Sequence, residues 1–148
     1  MTLALPQHYL DQMVAHAREE APNECCGIIA GKDGRAVKLF RAVNAEASPF
    51  RYSVEPKDQL RILHECQNHG WDHLAFYHSH TASQAYPSPT DIRLAFTPEV
   101  PGKPGERMLW WPDAYWIIVS LEDADNPVVR AFRILPDGAV SEEEIRAE

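Results

Sequence analysis

The stretch Leu74-Ala75-Phe76-Tyr77-His78-Ser79-His80-Thr81-Ala82-Ser83-Gln84-Ala85-Tyr86-Pro87-Ser88-Pro89-Thr90-Asp91 ends an apolar run in two histidines, then sets a serine and an aspartate three positions apart. Successive side chains of a β-strand alternate faces, so His78 and His80 project together and Ser79 projects the other way. A catalytic zinc takes three protein ligands from His, Asp or Glu and keeps a fourth tetrahedral position for water. Asp91 is the natural third ligand, because a loop holding Pro87 and Pro89 can turn the chain back toward the end of that strand. The same residues admit a plainer account: two packed or solvated histidines, and a helix start with Ser88 as N-cap, Pro89 at the first helical position and Asp91 at the third. The two accounts are compatible, since an N-cap fixes where Asp91 points.

Working outward, Leu10, Met13, Val14 and Ala17 recur at helical spacing between Pro6 and Pro22, which predicts a first amphipathic helix. Cys25 to Ala30 and Ala36 to Val43 are apolar runs separated by Gly31-Lys32-Asp33-Gly34, and the Asp-Gly pair signals a hairpin. Phe50 to Val54 is a candidate short strand. Pro56 to His69 predicts a helix with Leu60 and Leu63 on one face and Gly70 as its C-terminal cap. After the histidine strand come a short helix from Pro89 to Phe96, a buried strand from Tyr115 to Leu121 and a strand from Val128 to Leu135, closed by the turn Pro136-Asp137-Gly138. The order α-β-β-β-α-β-α-β-β lacks regular βαβ alternation and predicts an α+β domain with a mixed or antiparallel sheet.

At 148 residues and 45% apolar content, the chain predicts a single domain, 1–148, with an ordinary core. A net charge of −8 with 14 scattered basic residues disfavours nucleic acid and anionic membranes as partners. No basic N-terminal segment precedes an apolar core and no apolar stretch is long enough to span a bilayer, so a cytoplasmic location is expected. The three cysteines are odd in number and Cys25 and Cys26 are adjacent, which implies no disulfide framework. With no C-x-x-C spacing, Cys25 and Cys26 read as core rather than as ligand or nucleophile. His8, His16, His64, His69 and His73 read as solvated surface residues, and Phe76 and Tyr77 as core packing.

His78-x-His80, seven residues, Ser88, two residues and Asp91 together resemble the signature of the JAMM (MPN+) zinc metalloproteases. Pro22-Asn23-Glu24-Cys25-Cys26-Gly27-Ile28-Ile29-Ala30-Gly31 resembles the family's P-x-E-x-C-G-x-x-x-G segment and puts Glu24 in the place of its catalytic glutamate. The longer pattern through Tyr86, Pro87, Thr90 and Leu94-Ala95 is similar to bacterial members that process ubiquitin-like sulfur carriers, above all the Mec type, which removes cysteine from the carrier's C-terminus. The resemblance runs from the first helix to roughly Gly138. It implies an MPN (cytidine-deaminase-like) fold, a mixed β-sheet flanked by helices, and one Zn2+ per chain held by His78, His80 and Asp91. It further implies Glu24 as general base and Ser88 as hydrogen-bond donor to the oxyanion. Glu24 by itself would pass for a solvated residue before a strand, and only the resemblance brings it to the histidines.

The implied substrate is the Gly-Gly tail of a ubiquitin-like sulfur-carrier protein, bound by strand addition in a cleft beside a sheet edge. Alternatives are a general isopeptidase that removes a ubiquitin-like modifier from lysines, and a non-catalytic MPN scaffold, against which the complete residue set argues. A zinc deaminase would carry His-x-Glu and a later Pro-Cys-x-x-Cys, which are absent. Homodimerisation is left open. Thr97 to Asp113, with four prolines and Trp110-Trp111, exceeds the compact bacterial pattern by about ten residues and reads either as a contact loop or as tryptophans covering the core.

Overall fold

The computed structural model describes residues 2–148. Its elements run β1 (Thr2–Leu5), α1 (Gln7–Glu20), β2 (Cys26–Lys32), β3 (Arg35–Ala42), α2 (Pro56–His69), β4 (Asp72–His80), α3 (Pro89–Leu94), β5 (Tyr115–Ser120), β6 (Val128–Ile134) and β7 (Val140–Ala147). All seven strands form one mixed sheet in the order β1-β7-β6-β5-β4-β2-β3, parallel at β1–β7 and β4–β5 and antiparallel elsewhere. The α+β expectation holds. Among the described residues no helix is long and apolar enough to cross a membrane.

Side-chain alternation divides the sheet into two packed faces. Ile29, Ala75, Tyr77, Ile117 and Val119 meet Tyr9, Met13 and Ala17 of α1 on one face. Ile28, Ala30, Phe40 and Phe76 meet Ile62 and Cys66 of α2 on the other. Central strands covered on both sides favour apolar residues at successive positions, which is why residues 26–30 of β2, 74–77 of β4 and 115–119 of β5 read as apolar runs. Gly27 is the exception that packing demands: a Cβ there would stand 2.5 Å from the Phe40 carbonyl oxygen and inside the Tyr77 ring.

The local signals translate directly. Asp33 and Gly34 take φ of 53° and 79°, the left-handed pair that an Asp-Gly hairpin turn requires. Glu55 caps α2 by accepting from the Lys57 and Asp58 amides, Pro56 opens it, and Gly70 closes it at φ 69°.

Several expectations need correction. Phe50 to Val54 is not a strand; one bridge joins Asn44 to Val54, and the Asn44 side chain takes the backbone groups that a ladder would have used. Strands β1 and β7 carried no sequence signal: one is four residues long, and the other, with Glu142, Glu143 and Glu144 in succession, is held by pairing with β6 and β1. His16 is buried rather than solvated, its Nδ1 hydrogen-bonded with the Tyr77 hydroxyl at 2.7 Å. Burial, with Arg41 nearby, lowers its pKa to about 4, which keeps it neutral. His73 is also partly covered, stacked on Trp111 at 4.3 Å.

The long segment after α3 folds back on itself. Thr97 N–H donates to the Met108 carbonyl at 2.7 Å and Val100 N–H to Glu106 at 3.0 Å. At its far end the two tryptophans part: Trp111 packs against the α2-side core while Trp110 remains 58% exposed.

Candidate metal centre

β4 delivers two side chains to one end of the sheet. Phe76 faces α2, so His78 and His80 lie on that same face, and Ser79 turns to the other, where its Oγ accepts from the Cys25 amide at 2.8 Å. Ser88 then starts α3 with a reciprocal cap: Ser88 Oγ accepts from the Asp91 amide at 3.0 Å, and Asp91 Oδ2 accepts from the Ser88 amide at 2.9 Å. The cap thus aims the carboxylate back at the histidines, as the N-cap pattern predicted.

Three atoms converge. Asp91 Oδ2 lies 3.1 Å from His78 Nε2 and 3.0 Å from His80 Nε2, and the two imidazole nitrogens are 3.2 Å apart. Among the described residues these three make the group whose ligand atoms could hold a metal ion. A tetrahedral ion with bonds of about 2.0 to 2.1 Å, as zinc makes to nitrogen and oxygen, separates its ligand atoms by about 3.3 Å, so the triangle fits. The donor chemistry fits as well. His80 Nδ1–H donates to the Gln84 carbonyl at 2.8 Å, which leaves the lone pair of neutral His80 on Nε2, pointing at the other two atoms.

Electrostatics follow from burial and this crowding. Burial lowers the His78 pKa below its usual value. Burial also disfavours charge on His80, but the Asp91 carboxylate and the Gln84 carbonyl outweigh it and raise the pKa. Asp91 pays a burial penalty too, yet its hydrogen bonds hold the carboxyl far below the ordinary range.

Glu24 reaches the site through strand register. Cys26 pairs with His78 in the antiparallel β2–β4 ladder, so continuing two residues in each direction sets Glu24 opposite His80 on the same face. The Cys25–Ser79 link, with the Ser79 amide donating to the Cys25 carbonyl at 3.2 Å, holds that register at the strand ends. Glu24 is 4% exposed and its Oε1 is buried without a hydrogen-bond partner. Burial, with the Asp91 charge adding to it and His80 opposing it, raises its pKa to about 7. A carboxylate near neutrality is suited to accept and return a proton at physiological pH.

All five expected residues, Glu24, His78, His80, Ser88 and Asp91, therefore gather at one end of the sheet. Cys26 lies beside them, but burial raises its thiol to about 12, and that of Cys25 to about 11, in keeping with core thiols. The sheet edge expected beside the site is not on β4, which is hydrogen-bonded to β2 and β5; the edges are β1 and β3. Sequence reasoning missed Tyr52, whose ring stacks on His78 at 4.3 Å and 20°. It also missed Asn44, which anchors the loop carrying Tyr52 and could have been suspected from the turn-forming habit of asparagine before Ala45-Glu46.

The chain is similar to several known proteins. A CysO-cysteine peptidase of Mycobacterium tuberculosis is 36% identical over 145 residues, covering 97% of this chain and 89% of the relative. A desampylase of Pyrococcus furiosus is 30% identical over 119 residues, covering 80% of this chain and 74% of the relative. The solution structure of protein DSY2949 from Desulfitobacterium hafniense superposes with a TM-score of 0.79 at 34% identity, over 100% of this chain and 93% of that one. The profile for prokaryotic homologs of the JAB domain matches residues 6–135, and the chain belongs to that family.

Proposed function

We propose that this chain is a zinc-dependent peptidase that hydrolyses the amide bond after the C-terminal Gly-Gly of a ubiquitin-like sulfur-carrier protein and releases cysteine. The observation that carries this is the convergence of His78 Nε2, His80 Nε2 and Asp91 Oδ2 with an unpartnered, buried Glu24 carboxylate beside them. The substrate class is supported by the CysO-cysteine peptidase relative, which matches nearly the whole chain.

His78, His80 and Asp91 would hold one zinc ion per chain. Zinc in such a site supplies Lewis acidity toward the scissile carbonyl and lowers the pKa of water bound to it. Glu24 accepts the proton of the attacking water at its carboxylate and passes it to the departing amine, a double role open to a group whose pKa is about 7. Ser88 Oγ already accepts from the Asp91 amide, which leaves its O–H free to donate to the developing oxyanion. The Gln84 carbonyl fixes the tautomer of His80, and the capping box fixes Asp91.

The test is hydrolysis of a purified carrier–cysteine conjugate by the zinc-loaded protein, followed as free cysteine. Loss of turnover in a Glu24→Gln variant that still binds zinc supports the proposal; a wild-type protein with no turnover on this conjugate, or a variant as active as wild type, overturns it. A second reading, removal of a ubiquitin-like modifier from protein lysines, is favoured by the desampylase relative. The same assay on a carrier linked to a lysine side chain separates the two.

A further inference from the structure

One loop touches both halves of the site. It leaves β3 at Val43 and enters α2 at Glu55, and its neck is closed by Glu55 N–H to the Val43 carbonyl at 2.9 Å and Ala45 N–H to Ser53 at 2.8 Å. Asn44 is its hub. The Asn44 Oδ1 accepts from the Glu46 amide at 3.0 Å and the Ser53 amide at 3.1 Å, while Nδ2 donates to the Arg51 carbonyl at 3.1 Å. The same Nδ2 donates to the Glu24 carbonyl at 3.0 Å, and the Glu24 amide donates to the Ser48 carbonyl at 2.9 Å. Both main-chain polar groups of Glu24 are therefore held by this loop, two residues before β2 begins and its own ladder takes over.

The loop's second contact is Tyr52 on His78. The two imidazoles of the triad are oriented by different means. His80 is fixed through Nδ1 by the Gln84 carbonyl, whereas every hydrogen bond of the His78 ring among the described residues is made through Nε2. A metal-held histidine ordinarily has its second nitrogen tied to a carbonyl or carboxylate that sets the ring's rotation. At His78 the stacked phenol ring restrains that rotation instead, lying nearly parallel to it and covering one face.

We propose that Asn44 and Tyr52 are positioning residues, which make the loop from Val43 to Glu55 the part that sets Glu24 and His78 relative to each other. Asn44 acts through the Glu24 backbone, and Tyr52 through the His78 ring. The assignment rests on the proposed hydrolytic reading for the Glu24 half, but not for the His78 half, because restraint of a metal-binding imidazole has consequences for zinc affinity whatever the substrate.

The experiment uses the full chain and four variants, Tyr52→Phe, Tyr52→Leu, Asn44→Asp and Asn44→Ala, with two readouts: zinc affinity by chelator competition, and kcat and KM on the carrier–cysteine conjugate. Tyr52→Leu should weaken zinc binding on the order of tenfold, the usual scale for a group that orients a ligand. Tyr52→Phe keeps the ring and should restore it. Asn44→Asp keeps both acceptor bonds, to the Glu46 and Ser53 amides, but loses the donations to the Glu24 and Arg51 carbonyls. Its kcat should fall on the order of tenfold or more, and further than its zinc affinity, while Asn44→Ala, which loses all four bonds, should lower kcat and zinc affinity together. Wild-type zinc affinity in Tyr52→Leu overturns the proposal, as does an Asn44→Asp protein whose melting temperature and zinc affinity drop in step with kcat. Should the wild-type protein hydrolyse no conjugate, the functional reading fails, and the zinc affinities of the Tyr52 pair still decide this one.

Discussion

Glu24 is the residue where stability and chemistry pull in opposite directions. Its folded pKa of about 7 stands above its ordinary value of 4.5 because burial penalises the charge. The fold thus favours the protonated form, and the stability drawn from that preference is present below pH 4.5 and lost as pH rises through about 7. In the metal-free protein, Glu24→Gln should therefore melt with wild type at pH 4 and be more stable at pH 8 by about 1–2 kcal/mol after allowance for solvent screening. The same substitution in the zinc-loaded protein is expected to cost roughly 10²-fold or more in kcat, because the proton acceptor is gone. Equal melting curves at pH 8 would falsify the buried-carboxylate account. The triad predicts a second pH effect. Zinc needs proton-free imidazoles, and the raised pKa of His80 makes it the ligand that protons reach first on acidification. Zinc content measured by dialysis against buffers of falling pH should decline; retention down to strongly acid pH would count against histidine ligation.

At the scale of elements, β2 and β4 carry the site between them. The ladder that pairs Cys26 with His78 is the reason a glutamate distant in sequence comes to face His80, and a shift of one residue would turn Glu24 to the α1 face. Gly27 guards that register, since its neighbour across the ladder is Tyr77, whose ring fills the space where a Cβ would go. Gly27→Ala should destabilise the protein by about 3 kcal/mol, the upper range for overpacking a filled core. A chemical-denaturation midpoint unchanged from wild type would show that the Tyr77 ring yields, and with it the His16 contact. Helix α3 contributes through its first turn alone, and the signal for that turn was plain: Ser88-Pro89-Thr90-Asp91 satisfies its own amides wherever it is placed, so its local structure is predictable from chain neighbours. The loop from Val43 to Glu55 was not legible in this way, because Asn44 makes its bonds to residues chosen by the fold.

Across the whole molecule, helices on both faces of a mixed sheet leave the site at one end and the folded-back segment from Thr97 to Trp110 on the surface after α3. That segment answers the question of its tryptophans by dividing them. Trp111, stacked on His73 and tilted against Phe76, belongs to the core, and Trp111→Ala should cost about 2–4 kcal/mol. Trp110 is exposed, and Trp110→Ala is expected within about 0.5 kcal/mol of wild type. Melting of the two variants side by side checks the division; a destabilised Trp110→Ala would place it in the core as well. The pairing of His78 with His80, the Ser88–Asp91 cap, the main apolar strands and the three helices were legible in the sequence, because alternation, capping and turn residues act between near neighbours and leave their periods in the chain, whereas Glu24 carried no such signal. The strand character of Thr2–Leu5 and Val140–Ala147, the burial of His16, the parting of Trp110 from Trp111 and the hold of Asn44 and Tyr52 on the site were decided only by the tertiary structure. Each depends on a partner brought close by the fold, and a side chain's own neighbours in sequence carry no record of that partner.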